Sequence, residues 1–126
     1  MKQLFITLAL AAGVAAPLTY PALSQAGLKG SYPVTVSANS FRGSLGSARN
    51  SADAVQYIGC RDHGNVAWCY GRNAAGTVAS CSTANAQHLA VVRGLTESSY
   101  LSVDFSAGTC TSMFQSNFSQ LEPKQP

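Results

Sequence analysis

The stretch that decides the fold is VQYIGCRDHGNVAWCYGRNAAGTVASCS, Val55–Ser82, which holds three of the chain's four cysteines. It reads as three consecutive antiparallel strands. Its first turn is centred on Gly64-Asn65, two residues that tolerate the positive φ of two-residue hairpins. That turn pairs His63 with Val66, Asp62 with Ala67, Arg61 with Trp68 and Cys60 with Cys69. The pair flanking such a turn is hydrogen-bonded, so alternation makes Cys60–Cys69 a non-hydrogen-bonded pair. Its Cα atoms then lie about 4.5 Å apart, within disulfide reach. The second turn, Asn73-Ala74-Ala75-Gly76, suits a type I turn closed by a glycine bulge, and it sets Cys81 opposite Cys69. Four cysteines allow three connectivities; the register favours Cys60–Cys69 with Cys81–Cys110.

Alternation also divides the ribbon into two faces. One carries Ile58, Cys60, Cys69 and Cys81 and is expected to face the core. The other carries Tyr57, Arg61, Trp68, Tyr70 and Arg72. Tyrosine, tryptophan and arginine are the side chains enriched at recognition surfaces, so these five are the candidate binding residues. The competing reading is that a second layer covers them, since Tyr and Trp are buried on average.

Working outward, Tyr32–Val36 alternates as a strand, with Pro33 confining it to an edge or a strand start. Ala38–Ser51 is glycine- and serine-rich and reads as a long loop pinned by Phe41 and Leu45. After the ribbon the period changes. Leu89, Val92 and Leu95 share a helical stripe, Thr83 or Asn85 can cap its start, and Gly94 ends it. Ser99–Ser106 and Thr109–Ser119 then form a hairpin about Ala107-Gly108, with Phe105 opposite Cys110 and Leu101 opposite Phe114. Phe118 is expected in the core as well. The fold class predicted is α+β: a small, mainly antiparallel sheet of about six strands in a meander, with one short helix on it and disulfides to staple it.

Near the start of the 126-residue chain stand a single Lys2, an apolar run Leu4–Ala16 and small residues to Ala26, the pattern of a cleaved secretory signal peptide. The run is short of the ~20 residues that span a bilayer. The organisation expected is a signal peptide (1–26), one exported β-rich domain (27–119) and a flexible polar tail (120–126). Periplasmic or extracellular localisation is expected, in a style that looks bacterial, and an oxidising compartment makes two disulfides the natural use of four cysteines. Beyond residue 26, seven basic residues face five acidic ones. A net charge this small and scattered points to neither nucleic acid nor an anionic membrane as partner.

Catalytic chemistry finds little support. The five acids are dispersed, and Gly43-Ser44-Leu45-Gly46-Ser47 is not a nucleophile elbow. His63 and His88 could form an acid–base pair of a small secreted hydrolase or nuclease, but nothing local brings them together. Cys60, His63, Cys69 and Cys81 have zinc-like spacing, which export turns toward disulfides. No metal or cofactor is expected. The reading reached is a non-catalytic exported domain that binds a protein or glycan of the envelope or medium through Tyr57, Arg61, Trp68, Tyr70 and Arg72.

Overall fold

Two glycine-bearing turns build the frame. The computed structural model describes residues 27–126, so the expected signal peptide lies outside the described residues. At the first turn His63 donates to the Val66 carbonyl, with Gly64 at φ 96°. At the second, Asn73 donates to Thr77, Gly76 donates back to Asn73, and Gly76 holds φ 88°. These turns link β3 (Tyr57–Asp62), β4 (Ala67–Arg72) and β5 (Val78–Thr83) in the register read from the sequence: Cys60 opposite Cys69, and Cys69 opposite Cys81. Both favoured disulfides are formed, Cys60–Cys69 with Cα atoms 4.0 Å apart and Cys81–Cys110 with 5.1 Å. All four sulfurs are thereby used, so the zinc arrangement is not what the chain builds.

The remaining elements are β1 (Thr35–Val36), β2 (Ser40–Ser44), α1 (Leu45–Arg49), α2 (Ala86–Arg93), β6 (Tyr100–Ser106) and β7 (Thr109–Ser116). Among the described residues seven strands form one sheet in the order β1-β2-β6-β7-β5-β4-β3. This is not the expected meander. Strand β6 inserts between β2 and β7, and β7 meets β5 in parallel through the Ser82–Thr109 pair. The sheet is mixed, and it curls until β2 lies over β4. A Cβ on Gly71 would stand 2.7 Å from the Phe41 ring, so glycine is what lets that wholly buried phenylalanine seat on the β4 backbone. Around it lie Leu101, Val103, Cys69, Cys81 and Cys110.

One expectation for the flanks is corrected. Ala38–Ser51 is not a loop: it contains β2 and α1. Ser44 caps α1 by accepting from the Ser47 amide, and Ser47 is itself buried. Small residues here permit close packing; a Cβ on Gly46 would overlap the Glu122 carbonyl oxygen. The same contact bears on the tail. Leu121 is buried beside Gly30, Glu122 accepts from Ser47 and Asn50, and the Gln125 amide donates to Asn50, so 120–125 is bonded to Gly30, to α1 and to its flank. Glu122 and Gln125 here are partners for Ser47 and Asn50, while residues 123–126 are exposed.

The other helix is as read, though shorter. Asn85 caps α2 by accepting from Gln87 and His88, Gly94 follows its last residue, and Leu89 and Val92 are buried. In the β6–β7 hairpin Phe105 does oppose Cys110, but a β-bulge at Asp104/Phe105 shifts the pairs farther from the turn. Leu101 faces Gln115 instead of Phe114, and Met113 takes the core position opposite Val103. Phe114 is turned outward at 52% exposure, and Phe118 lies beyond the strand at 62%. One extra residue on β7 moves every later side chain to the other face.

Candidate binding face

Strands β3, β4 and β5 present a grid of side chains on the face away from the core. Register places Arg61, Trp68 and Ser82 in one row, Gly59, Tyr70 and Ser80 in the next, and Tyr57, Arg72 and Val78 in the third. All five residues singled out from alternation are therefore brought together. Trp68 is 42% exposed and Tyr57 43%, so no second layer of the described chain covers them. A half-exposed indole away from the core gains little for folding, which distinguishes this face from an ordinary packed one.

The middle row has bulk only at Tyr70. An added Cβ at Gly59 would meet nothing within 4 Å, so the space in front of Tyr70 stays open. The result is a shallow groove of about 450 Å³ lined by Tyr57, Ile58, Gly59, Cys60, Arg61 and Tyr70. The Arg61 guanidinium carbon stands 5.9 Å from the centre of the Tyr70 ring, at the outer range of a cation–π contact. Arg72 shares the face, and its Nε is buried with no hydrogen-bond partner among the described residues. Neither arginine forms an ion pair with a carboxylate among the described residues; those pairs are Arg42–Asp104 and Arg93–Asp62. The face thus combines two cations without internal counter-charge with three aromatic rings.

Its neighbour at the turn is already satisfied. Asp62 accepts from Arg93 Nε at 2.8 Å and from the Gly64 amide, and Arg93 also donates to the Gly64 carbonyl oxygen. The Arg93 bond, then the amide, holds the Asp62 carboxyl below the usual carboxylate range. This clamp ties the last residue of α2 to the β3–β4 turn. At the opposite end, Asp53 accepts from the Gln56 side chain and the Val55 and Gln56 amides, bringing its pKa down to about 2. It fixes the bend that leads into β3.

The two histidines stand on separate elements. His63 is exposed beside the hairpin turn, and His88 on α2 shares a 2.7 Å hydrogen bond with Thr83 Oγ1. Among the described residues no hydrogen bond joins either ring to the other or to a carboxylate, and no cluster of three metal-ligating side chains forms. His88 is accounted for as part of the local network of Thr83 and Asn85 that starts α2.

Comparison with known proteins finds no match: no family model, no curated protein and no solved structure is similar to this chain. Its chemistry must therefore be read from its own side chains.

A second group of rings was not foreseen. Tyr32 and Tyr100 meet edge to face at 5.6 Å, Tyr100 lies 6.3 Å from Phe114, and with Phe118 they border a hollow of about 210 Å³. The β7 bulge creates this patch by turning Phe114 outward. The doubled polar pair Thr111-Ser112, which breaks alternation between Cys110 and Met113, is the one hint of it in the sequence.

Proposed function

We propose that this chain is an exported, non-catalytic binding domain whose recognition surface is the outer face of β3 and β4. The partner is a protein or glycan of the envelope or the surrounding medium. The observation that carries this reading is Trp68, half exposed in a row with Arg61, with Tyr70 in the next row of the same face and Tyr57 and Arg72 in the one beyond. Rigid aromatic rings and planar guanidinium groups are the usual anchors of interfaces, because they bury much area at small entropic cost. Two disulfides support residence in an oxidising compartment, as does the leader-like start of the sequence. No helix among the described residues is long and apolar enough to cross a membrane.

The test has two parts. Acrylamide should quench the fluorescence of Trp68, the sole tryptophan, strongly in the free domain and weakly in the complex. The oxidised domain should retain a partner from envelope extract or culture medium that a Trp68→Ala, Tyr70→Ala variant of unchanged melting temperature does not. Retention by the double variant equal to that of the wild type would remove this face as the binding surface.

A further inference from the structure

The candidate face is bounded by β3, and β3 is the last strand in the order of the sheet: among the described residues no strand pairs beyond it, and α1 lies beside its start. His63 and Val66 form the hydrogen-bonded pair at the turn, so Arg61, Gly59 and Tyr57 direct their backbone groups to β4. By the same alternation Ile58 and Cys60 direct their N–H and C=O groups outward. Among the described residues no side chain or backbone group bonds to them. Both residues line the groove together with Tyr57, Gly59, Arg61 and Tyr70. A second hollow of about 230 Å³ continues along the start of β3 and is bordered by Arg49 and Lys124. The opposite edge of the sheet is blunted: β1 has two residues, Pro33 precedes it, and the Val34 amide is taken by Gln56. An open edge would ordinarily be a hazard.

We propose that β3 accepts an extended acidic peptide as an eighth strand. Main-chain bonds from Ile58 and Cys60 hold it, and its outward carboxylates meet the cations of the groove. Charge complementarity selects this occupant. Arg61 lies at one end of the unpaired edge and Arg49 and Lys124 at the other, while Asp62, at the end of β3, is already bonded to Arg93. Gly59 adds shape: the peptide side chain next to it meets no competing Cβ and can lie across the strand toward Tyr70. A glycan has donors and rings to offer Tyr70 but no ladder for Ile58 and Cys60, so the free amides favour a polypeptide.

This rests on the binding reading above, and the experiment separates the two. The probe is a fluorescein-labelled, capped hexapeptide of alternating valine and glutamate, titrated into the oxidised domain. Binding should shift the amide resonances of Ile58 and Cys60. It should weaken about tenfold or more when the peptide is N-methylated along one edge, which removes the ladder bonds. Lysine in place of glutamate, or Arg61→Glu in the domain, should weaken it by a similar factor, and added salt should weaken it further. Equal affinity for the N-methylated peptide would overturn the strand-addition inference. So would tighter binding of a sulfated oligosaccharide than of the peptide, or dimerisation of the free domain through β3. If the peptide fails while the Trp68→Ala, Tyr70→Ala variant still loses its natural partner, the edge inference falls and the face stands. If the peptide binds and that variant keeps its partner, the face falls and the edge stands.

Discussion

Replacing Cys81 and Cys110 together with alanine should destabilise the domain more than replacing Cys60 and Cys69. The two bridges close loops of very different length, with sequence separations of 29 and 9. Loop-closure entropy values the longer at about 3.6 kcal/mol and the shorter at about 2.7 kcal/mol. Position widens that gap. Cys60–Cys69 staples two strands already joined by a tight turn and a full ladder. Cys81–Cys110 spans the junction of β5 with β7, where the ladder consists of the Ser82–Thr109 pair and one bond from Ser82 to the Gly108 carbonyl. Without it the β3–β5 ribbon is held to the rest of the sheet mainly by side-chain packing. A loss of about 3.6 kcal/mol is a large part of a typical stability of about 5–15 kcal/mol, and it should lower the melting temperature by about 15–30 °C in a domain this size. Urea unfolding followed by circular dichroism would measure both variants, and native-state hydrogen exchange would show β3–β5 opening separately from β2, β6 and β7. An equal or smaller loss from the Cys81/Cys110 variant would refute the idea that this bridge joins two otherwise weakly coupled halves.

Other substitutions probe the core and its register. Gly71→Ala should cost about 1–3 kcal/mol by forcing a methyl against the Phe41 ring, and Phe41→Leu in the same chain should recover part of it; denaturant midpoints of the three variants would decide. Phe114→Ser should change stability by less than about 1 kcal/mol, because the bulge leaves that ring half outside, whereas a loss of several would mean that the ring is buried. Asp53 titrates low because the folded chain bonds its carboxylate. Its contribution is therefore present above the ordinary carboxylate pKa of about 4 and is lost as pH falls toward about 2. The stability of the wild type should thus fall more steeply between those limits than that of Asp53→Asn; parallel curves would contradict the assignment.

Sequence neighbours decided most of the features that could be read in advance. Gly64-Asn65, Asn73–Gly76 and Ala107-Gly108 each specify a turn by backbone chemistry. Each turn then sets a register, which is why both disulfides and the grid around Trp68 were legible. The order of the strands was not, because β2 is a short run of Ser, Gly and Arg whose lone Phe41 gains meaning only when Gly71 of a distant strand receives it. The bulge on β7 was equally hidden: period-two reading carries every side chain past Cys110 to the wrong side. Of the candidate site, the residues were visible but the openness in front of Tyr70 was not. That depends on Gly59 being at an edge, a property of the whole sheet.

The stitching of 120–125 onto Gly30, α1 and its flanks has a temporal consequence. A polypeptide delivered amino end first presents β1, β2 and α1 long before the residues that complete their hydrogen bonding arrive. During that interval Asn50 and the Gly30 amide lack their partners from the far end, so early segments gain little by ordering on their own. Ordering around Gly30 and Asn50 should therefore be deferred until residues 120–125 arrive, which act as a clasp on the early segments.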